Sequence, residues 1–297
     1  MATLQTIDEE MRLLGYIKSF VETYESLAAL YMRRTKQSVV DSRTFYNGLQ
    51  YIYEEVLQAY QSDIRAFAQK KSFGKRIRQV LLHPRQARSA AVLLSVNTGL
   101  YGDIVYKTLS AFVRYISSAP VDSIIVGKRG KLLFNELLPK TPYTFVDFPD
   151  NKLDAKHIVS IAELLSKYQE VRIFYGKFES FISQVPADTV LRNGQQQTGA
   201  RADKSSAGYP AALYLFEPSL QQVAKFFETE IFTALVEQLL YESQLAKFAA
   251  RMYLLDAAAG RIKNTLNTTA LIRQKFIHRK INKEQFEITS YRIALGI

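Results

Sequence analysis

The chain has 297 residues, 47% of them hydrophobic and 23% charged, enough to bury a sizeable core in one or two domains. It holds no cysteine, which excludes disulfides, thiolate zinc sites and cysteine nucleophiles. A net charge of +11 implies an acidic partner, whether nucleic acid, anionic lipid or an acidic protein surface, without choosing among them.

No apolar run approaches the roughly 18 residues of a membrane span. The opening "MATLQTIDEEMRLL" carries acids where a secretory leader would be basic. The eight prolines all lie between Pro84 and Pro218, and eight of the thirteen glycines share that middle stretch. Proline is strongly disfavoured inside helices, so two long helical arms are predicted on either side of a globular insert. In the first arm Leu4, Ile7, Met11 and Leu14 start a heptad-like stripe. Ile17, Val21, Tyr24, Ala28 and Tyr31 resume it one residue out of phase.

In the insert, "SAAVLLSV" (Ser89 to Val96) reads as a buried strand. "SVNTGLYGD" follows it, where glycine loops bind phosphate, but it lacks both the P-loop and the full GxGxxG pattern. Gly99 and Gly102 are expected to relieve a tight turn. "DIVYKTLSAFVRYI" has helical spacing, "SIIVG" is a second strand, and "TFVDF" a third. Gly127-Lys128-Arg129-Gly130 has the GXXG form of a KH clamp, yet it leaves a strand instead of joining two helices, so a basic surface turn is expected. "AKHIVSIAELLSKYQ" is a helix and "VRIFYGKF" a fourth strand. Strands alternating with helices indicate a parallel sheet covered by helices. The polar stretch from Leu191 to Pro210 reads as a loop, and "ALYLFEP" as a short strand into the last arm.

"EPSL" (Glu217 to Leu220) reads as a helix start, with Pro218 at the first helical position. From Leu245 the apolar seam runs through Phe248, Met252, Leu255, Ala259, Ile262 and Leu266 at spacings of 3 and 4. It takes an extra step to Ala270, a stutter, and resumes at Ile277, Ile281, Ile288, Tyr291 and Leu295. Gly260 follows Ala259, where small residues would let two helices approach closely. A helix this long needs a partner, and the first arm can supply it as an antiparallel coiled coil. The competing fold is an ordinary all-α bundle. The predicted fold class is therefore α/β: long N- and C-terminal helices forming an antiparallel coiled coil, with an inserted α/β domain containing a largely parallel sheet. The predicted divisions are 1–75 for the first coiled-coil arm, 76–212 for the α/β domain and 213–297 for the second arm.

Chemistry is scarce. The histidines His83, His157 and His278 stand apart, without metal-ligand spacing, and no GxSxG elbow is present. No catalytic residue, cofactor site or metal site is predicted. The distinctive charge feature is a run from Arg261 to Lys283 with seven bases (Arg261, Lys263, Arg273, Lys275, Arg279, Lys280, Lys283) and no acid. Arg33, Arg34 and Lys36 form a second cluster on the first arm. Solvated faces mix signs, so an acidic partner surface is expected.

The chain resembles the gamma subunit of F-type ATP synthase. "ESQLAKFAARMYLLDAAAGRI" is similar to the family's E-S-x-x-S-E-H-A-A-R-M pattern through Glu242, Ser243, Ala249, Ala250, Arg251 and Met252. "SVNTGLYGD" resembles its T-S-D-R-G-L-C-G-G turn through Ser95, Gly99, Leu100 and Gly102. "IKSFVETYESLAALYM" keeps Ile17, Lys18, Ser19, Thr23, Ala29 and Met32 of its first helix. Departures are Glu22 and Glu25 in a basic run, Asn97-Thr98 for D-R in the turn, and Lys247-Phe248 for E-H, as in a divergent branch.

The resemblance implies a rotor shaft without an active site of its own, inside a ring of alpha and beta subunits. Its insert would stand on the membrane c-ring beside epsilon, peripheral to the cytoplasmic side of a bacterial membrane and not spanning it. Rotation driven by ion flow would cycle the catalytic beta subunits. The implied contact residues are Arg33, Arg34, Lys36, Arg251 and Met252, then Arg273, Lys275, Arg279, Lys280 and Lys283, with Ile288 and Leu295 toward the end. Gly99, Leu100 and Gly102 mark the central turn. The competing reading is a basic coiled-coil scaffold or nucleic-acid-binding protein; under the rotor reading no nucleic acid is expected. An unrecognised enzyme in the insert is the third.

Overall fold

The computed structural model describes residues 4–67, 88–150, 153–192 and 220–294. Their elements are α1 (Leu4–Phe67), β1 (Ser89–Leu94), α2 (Ile104–Ser118), β2 (Asp122–Val126) and α3 (Lys128–Leu137). There follow β3 (Thr144–Val146), α4 (Ala155–Leu165), β4 (Glu170–Phe178), β5 (Gln184–Arg192) and α5 (Leu220–Ala294). Residues 31–250 form one compact unit, and residues 1–30 with 251–297 form another.

In the first of these units the sheet order is β3-β2-β1-β4-β5. The first four strands are parallel, and β5 returns antiparallel beside β4 from Phe178↔Gln184 to Glu170↔Arg192. Side chains alternate across the sheet. Val92, Leu94, Ile124 and Ile173 on one face pack with Ile158, Ile161 and Leu165 of α4 and Phe232, Val236 and Leu240 of α5. On the other face Ala91, Leu93, Ile125 and Phe174 meet Leu109 and Phe112 of α2 and Phe134 of α3. Burial on both faces explains why β1 and β2 are near-continuous apolar runs.

The two long helices pair antiparallel within this unit. Tyr31 of α1 stacks on Phe248 of α5 at 5.2 Å, whereas Tyr53 packs on Phe227 and donates its hydroxyl to Glu228 at 3.1 Å. Partner numbers fall as α1 advances. The α/β class, the antiparallel coiled coil and the largely parallel sheet all agree with the sequence reading, and the all-α bundle does not. β5 and α3 were not expected. Pro186 interrupts the β5 pattern yet is tolerated on an edge strand, and Gly130 obscures the helical spacing of α3. Leu191 and Arg192, read as the start of a loop, end β5 instead, and the rest of that stretch to Pro210, "ALYLFEP", residues 217–219 of "EPSL" and Leu295 lie outside the described residues.

Along α1 the buried positions recur every seven residues: Ile7, Val21, Ala28, Thr35, Ser42 and Val56. Met11, Lys18, Glu25, Met32, Val39 and Tyr46 form the second row, none of them exposed. The stripe therefore never changes phase. Ile17 and Tyr24, expected in the seam, are exposed, and polar Lys18, Glu25, Thr35 and Ser42 hold seam positions instead.

The same correction applies to α5 in the unit of residues 1–30 and 251–297. After Leu255, Ala259, Ile262 and Leu266 the burial continues at Thr269, Arg273 and Phe276. The 3-4 spacing is unbroken, so no stutter at Ala270 is needed. Gly260 is exposed, and a Cβ there would meet nothing within 4 Å, so it serves no close approach. Arg273 pairs with Asp8 at 2.5 Å. In an antiparallel pair that contact uses up the start of α1 within another turn of α5. Every residue from His278 to Tyr291 is exposed accordingly, including Ile281, Ile288 and Tyr291, which the apolar pattern placed in the seam. No helix among the described residues is long and apolar enough to cross a membrane.

Candidate functional site

The carboxyl ends of β1, β2 and β3 converge with α5, at the point where β1 is flanked by β2 on one side and β4 on the other. Open α/β sheets bind ligands at such switch points. Here the chain's own groups fill the place. The Asp150 carboxylate accepts from the backbone amides of Asn97 at 2.8 Å and Thr98 at 2.8 Å, and from the Thr98 hydroxyl at 2.8 Å. The Tyr101 hydroxyl approaches it at 3.4 Å. These loop amides are the donors that would cradle a phosphate. An internal carboxylate already uses them, which argues against a nucleotide in the turn.

Asn97 ties the other strand ends together. Its Nδ2 donates to Phe148 O at 2.8 Å and to Asp147 Oδ1 at 3.0 Å, and its Oδ1 accepts the Lys128 amide at 2.7 Å. The Lys128 ammonium, 3.1 Å from Asp147 and helped by Asn97, holds that carboxyl below the usual range. The GXXG stretch is the start of α3, not a surface turn. Gly127 has φ 99°, and a Cβ there would lie 2.8 Å from Val96 N. At Gly130 a Cβ would lie 2.5 Å from Ser95 Cβ. Both glycines let α3 begin directly against the end of β1. In the turn itself, Leu100 (φ 69°) and Gly102 (φ 63°) take the left-handed conformation, whereas Gly99 does not. The strain expected at two glycines thus falls partly on a leucine.

α5 closes the junction. Gln244 Nε2 donates to Asp150 O at 2.6 Å, and Lys247 Nζ donates to Ser95 O at 2.7 Å. Burial pushes the Lys247 ammonium down to about 8, partly opposed by the Asp150 carboxylate. Leu94, Phe148, Leu240, Ser243 and Phe248 line a small cleft beside it. The Ser243 hydroxyl is buried and has no hydrogen-bond partner among the described residues.

Of the residues predicted from sequence, Gly99, Leu100 and Gly102 fall in this junction. The contact residues are divided between the two units. Arg33, Arg34 and Lys36 are exposed on α1 in the unit of residues 31–250. In the other unit, Arg251 and Met252 are half-buried on α5, and Arg273 is half-buried beside Asp8. Lys275, Arg279, Lys280, Lys283 and Ile288 are exposed along the end of α5, and Leu295 is outside the described residues. His157 packs edge-on against Phe148 at 5.9 Å, as a packing histidine would. Among the described residues no cluster of His, Asp and Glu could hold a metal ion. Sequence reasoning missed Asp150, Gln244 and the tie made by Asn97. The only signal was that Asn97-Thr98 and Lys247-Phe248 stood out as departures from the motif.

Known proteins agree with this architecture. A curated ATP synthase gamma chain from Bdellovibrio bacteriovorus is 24% identical over 99% of both chains. One from Heliobacterium modesticaldum is 22% identical over the full length of both. Among solved structures, a chain of the Tetrahymena thermophila mitochondrial ATP synthase central stalk and c-ring assembly shares the fold, with a TM-score of 0.53 at 17% identity. The overlap covers 80% of this chain and 99% of that one. None of these relatives favours a nucleic-acid-binding scaffold. The family model described as ATP synthase matches residues 3–295, and the chain belongs to the gamma-chain family of ATP synthase.

Proposed function

We infer that the chain is the central rotor shaft of an F1Fo ATP synthase. It couples ion-driven rotation of the c-ring to conformational cycling of the catalytic beta subunits. The observation that carries this reading is the pairing of two long helices around an α/β insert, together with a family match over nearly the whole chain. The shaft carries no active site of its own, a reading supported by the Asp150 carboxylate that occupies the amides of the β1–α2 loop. Its partners are the alpha and beta subunits of the ring, epsilon and the c-ring. It is peripheral to the cytoplasmic face of a bacterial cell membrane.

The functional parts are a coiled-coil arm over 1–75, an insert over 76–212 and a second arm over 213–297. Exposed bases on the arms, Arg33, Arg34 and Lys36 on α1 and Lys275 to Lys283 on α5, face acidic surfaces of the ring. Arg251 and Met252 act where the shaft leaves the insert, and Ile288 and Leu295 act at its tip. Co-expression with alpha and beta subunits tests the reading. A stable complex whose ATP hydrolysis depends on this chain supports it. A free chain that binds labelled RNA and ignores the subunits overturns it.

A further inference from the structure

We propose that Lys247, with Gln244, pins α5 to the carboxyl end of the sheet, so that the insert and the shaft helix turn as one body. The inference rests on the rotor reading and names the positioning residue by which torque crosses from one part to the other. Between Phe232 and Leu240 the contact of α5 with the insert is apolar. Apolar contact is non-directional, so it resists separation better than it resists sliding. One turn further on, the contact becomes directional. Gln244 reaches Asp150 O and Lys247 reaches Ser95 O, two points on different loops. Asp150 is itself held by Asn97 and Thr98, so the two loops form one rigid acceptor. Between the bonded residues, Ala246 packs toward Gly176 of β4, where a Cβ would come within 3.7 Å of the alanine and 2.8 Å of Ile104. The helix therefore sits close to the sheet where the bonds form, and a longer side chain at 246 would lift it away.

Among the described residues, the polar groups that line the space around the Lys247 ammonium come from three places. The β1–α2 loop supplies Ser95 O and the Tyr101 hydroxyl, and the loop after β3 supplies Asp150. α5 supplies Ser243 and Gln244, and β2 supplies only Val126. Docked, the lysine holds its proton less tightly than it would in water, so docking strengthens as pH rises from about 8 toward the free lysine value.

Two measurements decide the matter. A bead is attached through Glu136→Cys, the only cysteine in the chain, and its rotation is followed in the assembled ring under viscous load. Lys247→Met is expected to give severalfold fewer bead turns per ATP hydrolysed than the parent, and Lys247→Arg to recover most of the loss. Equal turns per ATP in Lys247→Met overturns the pin and leaves the rotor standing. Failure of the parent chain to join the ring overturns the rotor reading and the torque claim together. The second measurement uses the unsubstituted free chain, so misfolding of a variant cannot obscure it. Hydrogen exchange at residues 240–250, corrected for the intrinsic rate, should show opening suppressed on the order of tenfold between pH 7 and 9. A flat profile overturns the role of Lys247 in the joint.

Discussion

At the residue scale, the junction depends on backbone groups that only particular side chains can reach or spare. Gly127 combines a left-handed backbone with a Cβ position 2.8 Å from Val96 N, so alanine there must strain the turn and push α3 off β1. Gly127→Ala is expected to cost about 2–4 kcal/mol in urea unfolding, combining conformational strain with lost packing. Gly99, in the β1–α2 turn, has neither constraint, and Gly99→Ala should stay within about 0.5 kcal/mol. Equal effects would mean that the close approach of α3 to β1 at Gly127 carries no stability of its own. Asp150→Asn keeps the size of the side chain but gives up the charge and one acceptor facing three donors. It should cost about 1–3 kcal/mol by the same measurement, and nucleotide should still fail to bind. Nothing near Asp150 in the sequence marks it: "VDFPDN" reads as any polar turn, and its role appears only when the loop after β3 folds back onto the β1–α2 turn.

At the element scale, the helical arms were legible from the proline map, because a missing N–H is disfavoured in a helix whatever it packs against. The seam was less legible, because apolarity and burial do not coincide along it. Thr35, Ser42 and Thr269 are buried in the pair, whereas Ile17 and Tyr24 are not. Register between two helices decides which residues face inward, and one strand alone does not carry that information. Polar seam residues cost stability but specify register. Thr269→Val, which exchanges the hydroxyl for a methyl group of similar size, is expected to raise the midpoint of thermal unfolding slightly, by the equivalent of about 1 kcal/mol or less. A loss of stability would mean that the hydroxyl has an essential partner. The Asp8–Arg273 pair is nearly half exposed, so Asp8→Ala should cost under about 1 kcal/mol. β1, β2, β3, β4, α2 and α4 were legible by run and spacing. β5 was hidden by its proline and α3 by Gly130, both allowed by context that the local pattern does not show.

At the scale of the whole molecule, charge is divided between the two ends of the chain. Residues 1–30 carry five acids, Asp8, Glu9, Glu10, Glu22 and Glu25, against Arg12 and Lys18. Residues 251–297 carry nine bases against Asp256, Glu284 and Glu287. Opposite signs favour pairing of this α1 with this α5 over self-association of either. They also leave any enclosing partner with two dissimilar faces, one acidic with exposed Leu13, Phe20 and Leu27, the other basic. An asymmetric shaft is what a ring of like subunits needs if each is to be in a different state at one time. The end of α5 tests this, because its bases do little for the chain itself. Among the described residues, Lys280 and Lys283 pair with Glu284 and Glu287 one turn on, at 3.9 and 3.8 Å on an exposed face. Reversing Arg279, Lys280 and Lys283 to glutamate should therefore change the unfolding free energy of the isolated chain by no more than about 1 kcal/mol. In titrations against the isolated alpha–beta ring, the same triple substitution should weaken association by tenfold or more at low salt. The deficit should shrink as added salt screens the contacts. If association were unchanged at every ionic strength, the basic band would be a solvated face and the ring would be gripping the shaft by its apolar surface alone.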